Sequence, residues 1–161
     1  DKDGTTKLDN RAFSLQGAYT IGAHTFTLAA QKVSGDGQYG YGVDGGGTIF
    51  LANSVQYSDF NGRDERSWQA RYDLNMATYG VPGLSFMARY VKGDNINTDT
   101  GEGKEHEFNF ESKYVMQEGP AKDLSFRLRH AVHRANTVEN GANYTDLNDT
   151  RLIVEYPLSI L

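Results

Sequence analysis

Hydrophobicity in this chain repeats at every second residue, in one segment after another, and a period of two is the spacing of a strand rather than a helix. Phe13, Leu15, Gly17, Tyr19 and Ile21 alternate with Ser14, Gln16, Ala18 and Thr20. After the two-residue reversal Gly22-Ala23 the pattern resumes, with Phe26, Leu28 and Ala30 set against Thr25, Thr27, Ala29 and Gln31. A reversal this short predicts a hairpin. Trp68, Ala70, Tyr72, Leu74 and Met76 then alternate with Gln69, Arg71, Asp73 and Asn75, and Leu84, Phe86, Ala88 and Tyr90 with Ser85, Met87 and Arg89. Three further segments do the same. Phe108, Phe110, Ser112 and Tyr114 oppose Glu107, Asn109, Glu111 and Lys113; Leu124, Phe126 and Leu128 oppose Ser125, Arg127 and Arg129; Leu152, Val154 and Tyr156 oppose Arg151, Ile153 and Glu155. No segment has a convincing helical period.

The connections carry a second regularity. Short turns at 22–23, 77–83 and 116–123 alternate with long polar loops near 34–66, 92–105 and 134–149. Short turns on one rim and long loops on the other is the arrangement of a transmembrane antiparallel β-barrel. This parity requires residues 48–57, strand-like in composition, to belong to the first long loop. Seven spanning strands remain. An odd number in an antiparallel meander leaves the first and last strands parallel, so the chain is not expected to close a barrel alone.

Composition narrows the functional classes. The net charge of −5 over 161 residues argues against a field that attracts nucleic acid. There is no cysteine, which removes thiolate catalysis, cysteine zinc sites and disulfides. No apolar run reaches the ~20 residues of a membrane-spanning helix, a test that leaves barrels untouched. The chain starts at Asp1 without a basic-then-apolar leader and reads as an excised or processed piece.

Period two does not say which face is wet. A lipocalin-type barrel buries its apolar face and a porin turns it to lipid. Charge tilts the reading, because the polar face is assigned Arg11, Arg71, Asp73, Arg89, Glu107, Glu111, Lys113, Arg127, Arg129, Arg151 and Glu155. So many charges in a dry core would cost several kcal/mol each unless paired, and a water-filled channel is the cheaper environment. Tyr19, Tyr72, Tyr90, Tyr114 and Tyr156 recur near strand ends, where interfacial rings belong. A cationic lumen of this kind suits carboxylates, which guanidinium groups take with paired hydrogen bonds.

Other motifs carry less. Gly35-Asp36-Gly37-Gln38-Tyr39-Gly40 has dinucleotide-site spacing but is followed by more glycines and no helix, so it reads as a surface loop. His130 and His133, three apart on a strand, point to opposite faces and are expected at an interface or in solvent, not on a metal. Asn143-Tyr144-Thr145 and Asn148-Asp149-Thr150 are glycosylation triplets of the sort polar loops produce by chance. Asp64 and Glu65 read as solvated loop carboxylates. Asp59 differs, since it follows the apolar segment 49–55, which must fold against something; the lumen mouth is available. No catalytic constellation, metal site or cofactor site is predicted.

The stretches Phe50–Gly62 (FLANSVQYSDFNG), Ser67–Asn75 (SWQARYDLN), Tyr79–Gly83 (YGVPG), Gly119–Arg127 (GPAKDLSFR) and Arg151–Leu161 (RLIVEYPLSIL) strongly resemble the OprD family of substrate-specific outer-membrane porins. The resemblance implies an 18-stranded barrel in the bacterial outer membrane, of which residues 1–161 would be the C-terminal part. Small carboxylate-bearing solutes would diffuse through it, and its outer wall would meet membrane lipid and lipopolysaccharide; a monomer or weak homo-oligomer is expected. A basic ladder carries over to Lys113, Arg127, Arg129 and Arg151, with Arg71 and Arg89 also facing the lumen. An inward-folded extracellular loop at about 34–66 carries the constriction, at Ser54, Tyr57 and Asp59. The most similar subgroup favours basic amino acids and admits carbapenem antibiotics; small peptides are a further expected solute. Relatives place an Asp just before the Thr48-Ile49-Phe50-Leu51 segment, where this chain has Gly47; Asp44 is the nearest substitute. The competing reading is a small eight-stranded structural or adhesive barrel, with 48–57 as the eighth strand and no open channel.

Overall fold

A computed structural model of the chain describes residues 9–39, 51–136, 138 and 146–157. They form one antiparallel sheet of seven strands in sequence order. The strands are β1 (Asn10–Ile21), β2 (His24–Gly35), β3 (Arg66–Asn75), β4 (Leu84–Thr98), β5 (Gly101–Val115), β6 (Ser125–Ala135) and β7 (Leu147–Glu155). Each pairs with the next, from Ile21 opposite His24 in the first hairpin to Arg129 opposite Arg151 in the last. Gly22 turns the first hairpin at φ 58°, a backbone region that a residue without Cβ enters freely. The β3–β4 connection tightens into a single 3-10 turn, Met76–Tyr79, whose first turn is capped by the Asn75 side chain accepting from the Ala77 N–H. Met76 therefore ends the strand rather than extending its apolar face. Among the described residues no helix is long and apolar enough to cross a membrane, which says nothing of strands.

The sheet is inverted relative to a water-soluble barrel. Phe13, Leu15, Tyr19, Phe26, Leu28, Trp68, Phe108, Phe126, Leu152 and Val154 are exposed, while Thr27, Gln31, Ser67, Gln69, Arg89, Glu105, Glu107, Asn109 and His133 are buried. Leaving a large apolar side chain in water forgoes about 1.5–3 kcal/mol, so this face calls for hydrocarbon. Aromatic rings gather toward both ends of the exposed face. Near the short turns Phe26 and His24 pack on Tyr72, at 5.2 and 5.9 Å, and toward the long loops Trp68, Tyr90 and His106 form a row at 5.6 and 5.9 Å. These are the two girdles of a membrane barrel.

Some expectations change. Arg11 pairs opposite Ser34 and shares its parity with Phe13 and Leu15, so it lies on the outer face, not the polar one. The region 92–105 is not a loop: β4 and β5 run on to Thr98 and Gly101, with a register shift between Gly93 and Ile96. Residues 51–57 form turns and bends, as the alternation of short and long connections requires, and not the eighth strand of the competing reading. Gly47, Asp44, Asn143 and the last four residues lie outside the described residues. Asn148 sits in β7, where its side chain accepts from Arg134 at 2.9 Å, and not in a loop.

Candidate functional site

The segment from Leu51 to Glu65, between β2 and β3, lies on the polar face and explains why that face is buried. Phe60 and Leu51 are its apolar anchors. The rest of its attachment is polar. Gln31 on β2 donates to Phe60 O at 2.8 Å and Asp59 O at 3.1 Å, and accepts from the Asn53 N–H at 2.9 Å. Asn53 reaches Ser67 on β3 at 2.8 Å. On β5 the Glu107 carboxylate accepts from the backbone N–H of Tyr57 at 3.1 Å and of Ser58 at 2.8 Å, and from the Asn109 amide at 2.6 Å. Ser58 Oγ donates to Glu105, whose other oxygen lies 2.6 Å from His133 Nε2.

Both carboxylates are fully buried, which would cost several kcal/mol apiece without these donors. With them, each bond to a charged acceptor contributes about 1.5–3 kcal/mol. Glu65 belongs to the same set. It is buried, not solvated, and its Oε2 accepts from the Gly62 N–H at 2.8 Å. Its other oxygen occupies the space above Gly93 that a Cβ would fill.

The cations form cross-strand rows lower on the same face. Arg71 on β3 is opposite Arg89 on β4, which is opposite Asn109 on β5. One step nearer the short turns, Glu111 on β5 is opposite Arg129 on β6, itself opposite Arg151 on β7. Lys113 is opposite Arg127. Their partners differ in kind. Arg71 grips Asp73 with two bonds, at 2.6 and 2.8 Å, and Arg151 lies 2.6 Å from Asp149. Glu111 is shared, 3.2 Å from Arg129 and 3.8 Å from Arg127; Glu155 approaches Arg127 at 3.7 Å. Arg89 donates to the neutral Asn109 at 2.9 Å. Of these six cations, Arg89 and Lys113 have no ion-pair partner among the described residues.

All nine residues singled out by sequence lie on this face or on the segment covering it. Ser54 Oγ donates to Asp59 Oδ1 at 2.5 Å, which joins two of the three loop residues. Tyr57 is exposed and packs against His133 with the rings tilted, their centroids 4.9 Å apart. The segment meets the cation rows at one point: Gln56 donates to Asp149 at 3.3 Å and its carbonyl accepts from Arg151 at 3.4 Å. His130 and His133 do point to opposite faces. His133, however, is buried beneath the segment instead of solvated, while His130 bonds Thr150 at 2.8 Å.

Sequence reasoning missed the gripping residues Gln31, Glu105, Glu107 and His133 as a set. Strand parity places Glu107 and Gln31 on the polar face, but their partners are 22–50 positions away and nothing in the local pattern names them.

A family model described as "outer membrane porin, OprD family" matches residues 1–160. The chain is 57% identical to Porin D of Pseudomonas aeruginosa over 96% of its own length and 39% of that protein's. It is 36% identical to the porin-like protein GalP of Pseudomonas putida, covering 99% of the chain and 37% of the relative. The chain thus spans about two fifths of these curated relatives. Its fold is similar to the crystal structure of Pseudomonas aeruginosa OprD, with TM-score 0.85, 56% identity, and 99% of this chain and 46% of that one covered. It is also similar to that of Pseudomonas aeruginosa OpdO, with TM-score 0.84, 43% identity, and 95% and 40% covered.

Proposed function

The chain belongs to the OprD family of outer membrane porins, and from that premise we propose that residues 1–161 form the C-terminal part of one porin barrel whose lumen passes small carboxylate-bearing solutes. The relatives are channel proteins rather than enzymes, and the setting is the bacterial outer membrane. In this reading the polar face is a lumen wall. Lys113, Arg127, Arg129 and Arg151 are rungs along which a carboxylate is handed, with Arg71 and Arg89 beside them. The segment covering the face is an extracellular loop folded inward, and Ser54, Tyr57 and Asp59 narrow the pore. Cation rungs hold the solute's carboxylate while Asp59 draws an ammonium or guanidinium, so a short amino acid crosses with its dipole aligned. Basic amino acids, small peptides and carbapenem-type antibiotics have the required groups.

One observation carries the reading: Arg127, Arg129 and Arg151 stand side by side across β6 and β7 on the face that gathers the sheet's buried polar and charged side chains, while the opposite face exposes its large apolar ones. A sheet with that division lines water on one side and lipid on the other. Single-channel recording of the complete porin in a planar bilayer tests it. A steady open conductance with a carboxylate-dependent current is expected. A closed barrel filled by its own side chains would conduct nothing and would overturn it.

A further inference from the structure

Among the described residues, Glu111 is the one carboxylate that lies within 4 Å of two rungs. It lies directly opposite Arg129 in the β5–β6 register and one step above Lys113, which is opposite Arg127. Its two oxygens divide between the guanidiniums, Oε2 at 3.2 Å from Arg129 Nε and Oε1 at 3.8 Å from Arg127 Nε. Neither Nε makes a hydrogen bond, although both are buried. Glu111 therefore pairs with the two arginines by charge and contact and lacks the aligned fork by which Asp73 holds Arg71. All three side chains retain partial exposure, between 22 and 28%.

We propose that Glu111 is a resident carboxylate that competes with the solute's carboxylate for Arg127 and Arg129, and so sets how strongly these rungs hold anions. This rests on the ladder reading given above. Permeation needs a site attractive enough to enter and weak enough to leave. Two adjacent arginines without a counter-ion would hold a carboxylate by two charges at once. Glu111 cancels part of that field, and its loose geometry lets an incoming carboxylate take over the contact. Glu155 is a poorer competitor, since it approaches only Arg127, at 3.7 Å, and is more than half exposed.

The test is the acetate-to-potassium permeability ratio of the complete porin, from reversal potentials in potassium acetate gradients. Glu111→Gln is expected to raise the ratio about fivefold, the scale of one unit charge removed ~4 Å away in wet surroundings. Glu155→Gln is expected to change it by less than about half that factor. Glu111→Asp, which keeps the charge, is expected to stay near the parent value. Should Glu111→Gln not insert, Glu111→Ala reads the same quantity. An unchanged ratio in Glu111→Gln or Glu111→Ala, or an equal rise in Glu155→Gln, overturns the proposal. Arg129→Gln separates this outcome from failure of the ladder: a fall in the ratio there with no response at Glu111 leaves the ladder standing and refutes the competitor.

Discussion

Glu107, on β5, accepts a hydrogen bond from the backbone N–H of Ser58 at 2.8 Å, across 49 positions of sequence. A strand carboxylate thus holds the main chain of the covering loop, and Tyr57, packed against His133, is fixed beside it. Glu107→Ala removes this acceptor and is expected to loosen the segment by about 2–3 kcal/mol. Amide hydrogen exchange at Tyr57 and Ser58 should then quicken roughly thirtyfold or more while β5 stays protected. Unchanged exchange at both amides would show that the segment is held elsewhere.

Gly93→Ala tests the packing from the strand side. A Cβ at this position collides with Glu65 Oε1 and comes within 2.9 Å of Phe60 Cδ1, so the loop must lift or the strand must shift. The expected loss of thermal stability corresponds to about 1–3 kcal/mol. Gly17→Ala, with nothing within 4 Å of the added carbon, is the control and should unfold with the parent. Equal melting of all three proteins would contradict the packing described.

Asp59→Asn addresses the proposed filter. The Asn oxygen can still accept from Ser54, so the local geometry is kept and only the charge is lost. Arginine permeation into liposomes should fall about fivefold relative to that of alanine. An equal effect on both solutes would mean that Asp59 acts on pore width and not on charge.

Much of this arrangement was readable from the residues, and the failures are physically specific. Alternation marks a strand only where its two faces meet different media. It therefore located β1, β3 and β6, and it faded over Lys92, Asp94, Asn97, Glu102 and Lys104, where β4 and β5 continue past the lipid-facing rings and both faces are polar. Arg11 departs from expectation for a related reason: charge suggests the polar side, yet its parity with Phe13 decides, and it sits at the strand end beyond the apolar rows. The apolar content of 51–55 announced that the loop must pack. What it packs against was not legible, since Glu105, Glu107 and His133 are ordinary polar-face residues until the fold brings Ser58 to them.

The claim that matters most is that the cations of β6 serve the solute's carboxylate. It is tested most directly by arginine uptake into proteoliposomes carrying the complete porin with Arg127→Ala and Arg129→Ala together. Two charged contacts at about 0.7 kcal/mol each predict roughly a tenfold fall in uptake, with single-channel conductance for potassium retained. Uptake equal to that of the parent protein would contradict the account.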